Sequence, residues 1–202
     1  MTKVASIQEE TEETLKKLDF IAVIDHSGSM GTPSTRIKGK NRLEEVAEEA
    51  TSVARLAQTY DDDGLTVIAF SSAVKTYDGV TADRVADVFK EFPPRGSTNL
   101  AGAIDAVAAK TRASSKEVVA IVYTDGAPDS QEDVVRSINA AAKEFGRPRI
   151  GFVFIQVGED GGAQKFLEYL DDNLQVDVVS TVKEADSEGM TIGQLAWLAR
   201  NA

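Results

Sequence analysis

Near-continuous apolar runs recur along the chain: FIAVI at 20–24, LTVIAF at 65–70, EVVAIVYTDG at 117–126 and RIGFVFIQV at 149–157. These runs predict strands, those at 20–24 and 117–126 buried on both faces. A further strand is expected over about 73–77, too close to LTVIAF for an intervening helix and so its hairpin partner, and another at VDVV, 176–179. Between the strands the period changes. From Arg42 onward Leu43, Val46, Ala50, Val53, Leu56 and Ala57 recur at three and four residue steps, an amphipathic helix.

Further helices are predicted over 81–91, stopped by Pro93 and Pro94, over the alanine-rich LAGAIDAVAAKTR, and over about 131–145 and 162–170. A last helix ends in IGQLAWLARNA, where Trp197, Leu195 and Leu198 read as a packing face. Residues 5–17 read as an exposed helix, with Glu9, Glu10, Glu12 and Glu13 early and Lys16 and Lys17 late, the order that the helix dipole favours. The alternation predicts an α/β fold: a doubly wound, mostly parallel sheet with one antiparallel edge strand and helices on both faces. The expected organisation is a lead-in helix over 1–17 and one domain over 18–202, a size usual for this class. No internal repeat, linker or low-complexity tract interrupts it.

Charge narrows the partners. Of 202 residues, 22 are basic and 33 acidic, a formal charge of -11 that repels phosphate backbones and anionic membrane surfaces. Neither nucleic acid nor membrane is an expected partner. The absence of cysteine removes disulfides, thiolate metal sites and thiol catalysis. With no secretory h-region at the N-terminus and no run of about 20 apolar residues, a cytoplasmic location is expected.

The chemistry gathers where the strands end. IAVIDHSGSM carries Asp25, Ser27 and Ser29 at alternate positions on the lip of the first strand, and Asp125 follows the fourth. In open α/β sheets ligands sit outside the carboxyl ends of the strands, where successive connections diverge. If these two strands are neighbours, the carboxylates meet there, joined by Thr98 of GSTNL, a loop that leads into a helix N-terminus. The five side chains offer oxygen only, which suits magnesium, manganese or calcium and disfavours zinc or copper. Two carboxylates merely match a divalent ion, so such an ion would still accept an outside carboxylate.

The motifs DHSGSM, GSTNL and YTDGAPD resemble, in order, the three parts of the metal-ion-dependent adhesion site of von Willebrand factor A domains. The resemblance covers roughly 18–180 and implies that family's Rossmann-like fold. It also implies direct coordination of a divalent cation, most often Mg2+, by Ser27 and Ser29. Thr98 would contribute directly or through water, and Asp25 and Asp125 largely through bound waters. In that family the open position takes a Glu or Asp carboxylate from a protein partner. A narrower likeness, carried by FIQVGEDGGAQKFLEYLDDNL, is to bacterial proteins of this type associated with tellurium resistance and stress response.

Each piece has a plainer explanation alone: Asp25 and Ser27 as a turn cap, Thr98 as a helix N-cap, TDG as a turn. Their joint occurrence after the right strands favours the site. His26, the only histidine, lies between Asp25 and Ser27 on a tight turn, which disfavours a Ser-His-Asp triad and reads as a rim residue. The nucleophile-elbow pattern is missing, Ser27 stands where a dehalogenase-type phosphatase needs a second aspartate, and GKN and GEDGG fit neither nucleotide-binding motif. DDDG at 61–64 lacks the alternation of an EF-hand and reads as a solvated turn. Arg36, Lys38, Lys40 and Arg42 form a basic segment in GTPSTRIKGKNR that reads as a flexible solvated loop, or as a rim steering an acidic partner.

The expected function is a non-enzymatic, metal-dependent protein interaction module. The alternatives are a metal-assisted hydrolase or phosphatase using the same cation, for which no general base is identifiable, and a scaffold in which the cation only stabilises the fold. The sequence leaves the partner, the ion present in the cell, the pathway and the oligomeric state open.

Overall fold

The computed structural model describes residues 7–60, 64–187 and 189–202. Six strands form one sheet in the order β3-β2-β1-β4-β5-β6. They are β1 (Leu18–Asp25), β2 (Leu65–Phe70), β3 (Val74–Val80), β4 (Glu117–Thr124), β5 (Ile150–Gln156) and β6 (Val179–Lys183). All neighbours are parallel except β2 and β3, whose short connection permits only the antiparallel hairpin at the edge. The expected mostly parallel, doubly wound sheet is therefore present.

The helices are α1 (Glu12–Leu15), α2 (Arg42–Tyr60), α3 (Ala82–Glu91), α4 (Leu100–Ala113), α5 (Gln131–Phe145), α6 (Gly161–Asn173), α7 (Glu184–Ser187) and α8 (Ile192–Arg200). Alternation along the central strands splits the core in two. Phe20, Ala22, Ile24, Val119, Ile121 and Tyr123 pack with α2, α3 and α8, while Ile21, Val23, Ala120, Val122, Phe152 and Phe154 pack with α4, α5 and α6. Burial on both faces is why these strands read as unbroken apolar runs.

Three expectations change. The helix read over 5–17 is helical only at Glu12–Leu15, and residues 1–6 lie outside the described ones. The segment before it is not a solvated lead-in: Ile7 packs on the core, Glu10 donates its N–H to the Gly193 carbonyl at 3.2 Å, and Arg200 pairs with Glu10 at 2.6 Å. The sixth strand starts at Val179 rather than 176, since Val176 is exposed and the polar Ser180 is buried by donating to the Leu198 carbonyl at 3.0 Å. The basic segment before α2 is also not loose: Arg36 pairs with Glu45 at 3.2 Å and Lys40 with Glu48, turning both toward α2. Asp61, Asp62 and Asp63 of the acidic turn lie outside the described residues.

Among the described residues no helix is long and apolar enough to cross a membrane.

Candidate metal centre

Successive connections carry the chain from β1 to β2 and β3 on one side, and from β4 to β5 and β6 on the other. The divergence falls between β1 and β4, which pair in register through Ile24 and Tyr123. Asp25 ends β1 and Asp125 follows Thr124, the last residue of β4, so both carboxylates stand at the switch point. Directly after β1, Ser27 leads into a 3-10 turn over Gly28–Gly31, which carries Ser29 back over the strand ends.

Hydrogen bonds tie four of the five expected residues into one cluster. The Ser27 N–H donates to Asp25 Oδ1 at 2.7 Å, and the Thr124 hydroxyl donates to Asp25 Oδ2 at 2.7 Å. Ser29 Oγ donates to Asp125 Oδ1 at 2.7 Å and lies 3.0 Å from Ser27 Oγ. Ser27 and Asp125 are buried and Ser29 is exposed, so the row of hydroxyls runs from the core to the surface.

Thr98 sits on a loop fastened beside this cluster. The Gly96 carbonyl accepts the Gly28 N–H at 3.1 Å, and Asp129 grips the loop, accepting the Thr98 N–H at 2.9 Å and the Ser97 hydroxyl at 2.7 Å. Gly96 has φ +78°, and a side chain there would begin 2.4 Å from Ser72 Oγ, so the loop can approach only as glycine. Thr98 itself is half-buried.

The electrostatics are those of a cavity for charge. Asp25 is fully buried, and burial pushes its carboxyl up to about 6, against the lowering effect of the Ser27 and Thr124 hydrogen bonds; Asp125 nearby adds to the rise. Among the described residues no three acidic or histidine side chains converge, so any cation here depends on hydroxyl donors. The oxygen-only set of Ser27, Ser29, Thr98, Asp25 and Asp125 fits a hard dication that keeps waters in its shell.

Two residues depart from the sequence expectation. His26 is not on the rim: it is fully buried between Phe89 and Phe92, with ring centroids at 5.2 and 5.3 Å, and its Nδ1 donates to the Phe92 carbonyl. Burial pulls its pKa down to about 4, so it is a neutral core side chain. Arg42 is not a solvated steering charge: Nη1 donates to Asp125 Oδ2 at 2.6 Å. Thr124 and Asp129 were also missed as site residues, although both fall within YTDGAPD.

Solved structures share this fold. The chain is similar to the manganese-loaded TRAP protein of Plasmodium vivax, with TM-score 0.59 and 18% identity over 86% of this chain and 71% of that one. It is similar to a von Willebrand factor type A protein from Catenulispora acidiphila, with TM-score 0.59 and 17% identity over 85% of this chain and 39% of that one. The PilB minor pilin from Streptococcus sanguinis gives TM-score 0.61 and 13% identity over 89% of this chain and 59% of that one. At these identities the likeness establishes the fold, that of a von Willebrand factor A domain. A model of the TerF-like branch, described as the von Willebrand factor A domain found in the TerF C terminus, matches residues 17–186. The chain belongs to that family. A comparison with curated proteins finds no match.

Proposed function

We propose that this domain is a protein interaction module in which Asp25, Ser27, Ser29, Thr98 and Asp125 hold a divalent cation, most often Mg2+, that accepts a Glu or Asp carboxylate from a partner. The observation that carries the reading is the chain of oxygens Ser27 Oγ, Ser29 Oγ and Asp125 Oδ1, linked at 3.0 and 2.7 Å above a buried Asp25. The cation would supply a Lewis-acidic position open to an outside anion. Ser27 and Ser29 would offer neutral donors, and Asp25, pinned by the Ser27 N–H and Thr124, would supply fixed negative charge beneath them.

Membership of a family whose domains commonly mediate protein interactions supports the binding role. Metal-assisted hydrolysis is less well supported. The only histidine is buried between phenylalanine rings, and both oxygens of Asp25 are engaged, so neither is available as a general base at the open face. The likeness to the TerF C terminus supports extending the proposal to tellurium resistance or bacterial stress response, and to a cytoplasmic setting.

The test combines direct titration of Mg2+ and Mn2+ with capture of partners from the native extract, with and without chelator. Cation binding lost in Ser27→Ala, together with capture lost in chelator and in the same variant, is the expected result. A folded wild-type protein that binds neither ion at millimolar concentration refutes the cation site. Chelation that lowers thermal stability without altering capture assigns the ion a structural role instead.

A further inference from the structure

We propose that Arg42 is a built-in counter-cation of this site, which holds down its affinity for a dication while raising the affinity of the loaded site for an outside carboxylate. The inference rests on the cation reading above. Arg42 opens α2, with its N–H fixed to the Thr32 carbonyl at 3.1 Å, and its Nη1 donates to Asp125 Oδ2 at 2.6 Å. That leaves Oδ1 facing Ser29, on the side of the hydroxyl row. The two oxygens of one buried carboxylate are therefore divided between a fixed guanidinium and the candidate cation position.

The guanidinium is seated rather than swinging in solvent. It lies against the bare backbone of Gly158, where φ is +68° and an added Cβ would come within 3.0 Å of Nε and 3.2 Å of Cζ. Arg42 Nε is buried with no hydrogen-bond partner among the described residues, so packing and Asp125 hold the side chain. Of the basic segment, Arg36 and Lys40 turn to acids on α2, whereas Arg42 reaches the site.

Charge counting gives the consequence. Asp25 and Asp125 alone would neutralise a dication; with Arg42 included, the loaded site keeps a net positive charge. The dication then meets one uncompensated carboxylate instead of two, and the surplus charge attracts an acidic side chain. Cation and carboxylate thereby bind as a coupled pair, each weak without the other.

The experiment titrates Mn2+ into the full chain, as wild type, Arg42→Gln and Arg42→Lys, with and without acetate as the carboxylate probe. Ser27→Ala serves as the control for site-specific binding. The Gln variant should bind Mn2+ at least about fivefold more tightly, while the Lys variant stays near wild type. Acetate should tighten Mn2+ binding more in wild type than in Arg42→Gln. Equal or weaker Mn2+ binding by folded Arg42→Gln, with wild-type binding lost in Ser27→Ala, overturns the role of Arg42 and leaves the cation site standing. A Gln variant that stays unfolded at millimolar Mn2+ also overturns it, since the dication must be able to stand in for the guanidinium. If no variant binds Mn2+, the cation reading fails and this inference falls with it.

Discussion

His26 reaches the carbonyl of Phe92 through Nδ1, 66 positions along the chain, and so fastens the end of α3 to the turn that follows β1. The ring also fills the space between Phe89 and Phe92. His26→Ala should therefore cost about 3 kcal/mol at pH 7.5, from the lost packing and the unsatisfied Phe92 carbonyl, measured by urea unfolding. A cost below about 1 kcal/mol would mean that the surroundings collapse onto the smaller residue.

Protonation gives this pair of neighbours opposite signs. The pKa of His26 falls from 6.5 to about 4 on folding, so between those values the unfolded chain binds the extra proton and acidification removes stability. For Asp25 the pKa rises from 3.8 to about 6, so in that window the folded chain binds the extra proton and acidification adds stability. Each contribution amounts to roughly 3 kcal/mol, and they largely cancel in the wild type between pH 6 and 4. Asp25→Asn removes one of them. In chelator it should be more stable than wild type at pH 7 by about 2 kcal/mol, lose stability steeply between pH 6 and 4, and show no stabilisation by Mg2+. Parallel wild-type and variant curves against pH would show that Asp25 is not burdened by its burial.

The legible part of this molecule is local. β1, β4 and β5 could be read because each is buried on both faces, and Asp25, Ser27 and Ser29 because they crowd into five consecutive positions that start at the last residue of a strand. The start of β6 was misread because Ser180 and Thr181 look unlike core residues until the Leu198 carbonyl is brought to Ser180. Arg42 looks in the sequence like one of four similar surface charges, and only its ion pair with Asp125, 83 positions away, separates it from Arg36 and Lys40. His26 was misplaced for the same reason: the phenylalanines that enclose it arrive from α3 and the residue after it.

Gly151 shows how tightly the sheet and the last helix are joined. A methyl group there would lie 2.0 Å from the carbonyl oxygen of Ala199 and 2.7 Å from its carbon, and both are backbone. Neither strand β5 nor α8 can yield by a rotamer change, so α8 must shift. Gly151→Ala should destabilise by about 3 kcal/mol, read as a lower urea midpoint. An unchanged midpoint would show that α8 is free to slide on the sheet.

Asp129 separates positioning of the site from its charge. It is exposed, yet its Oδ1 accepts the Thr98 N–H, its Oδ2 accepts the Ser97 hydroxyl, and its own N–H donates to the Thr98 carbonyl at 3.0 Å. Asp129→Ala keeps the last bond and removes the first two, at a cost of about 1 kcal/mol in stability. Because the loop also carries Gly96, which meets Gly28, its loosening should reach Thr98 and the turn that bears Ser29. Mn2+ affinity is expected to fall severalfold in Asp129→Ala, although this carboxylate is not among the candidate ligands. Asp129→Asn can still accept from Thr98 and can donate to the Ser97 hydroxyl, so it should bind Mn2+ nearly as wild type does. If the Asn variant loses as much affinity as the Ala variant, the charge of Asp129 is what the cation senses, and the grip on Thr98 is incidental.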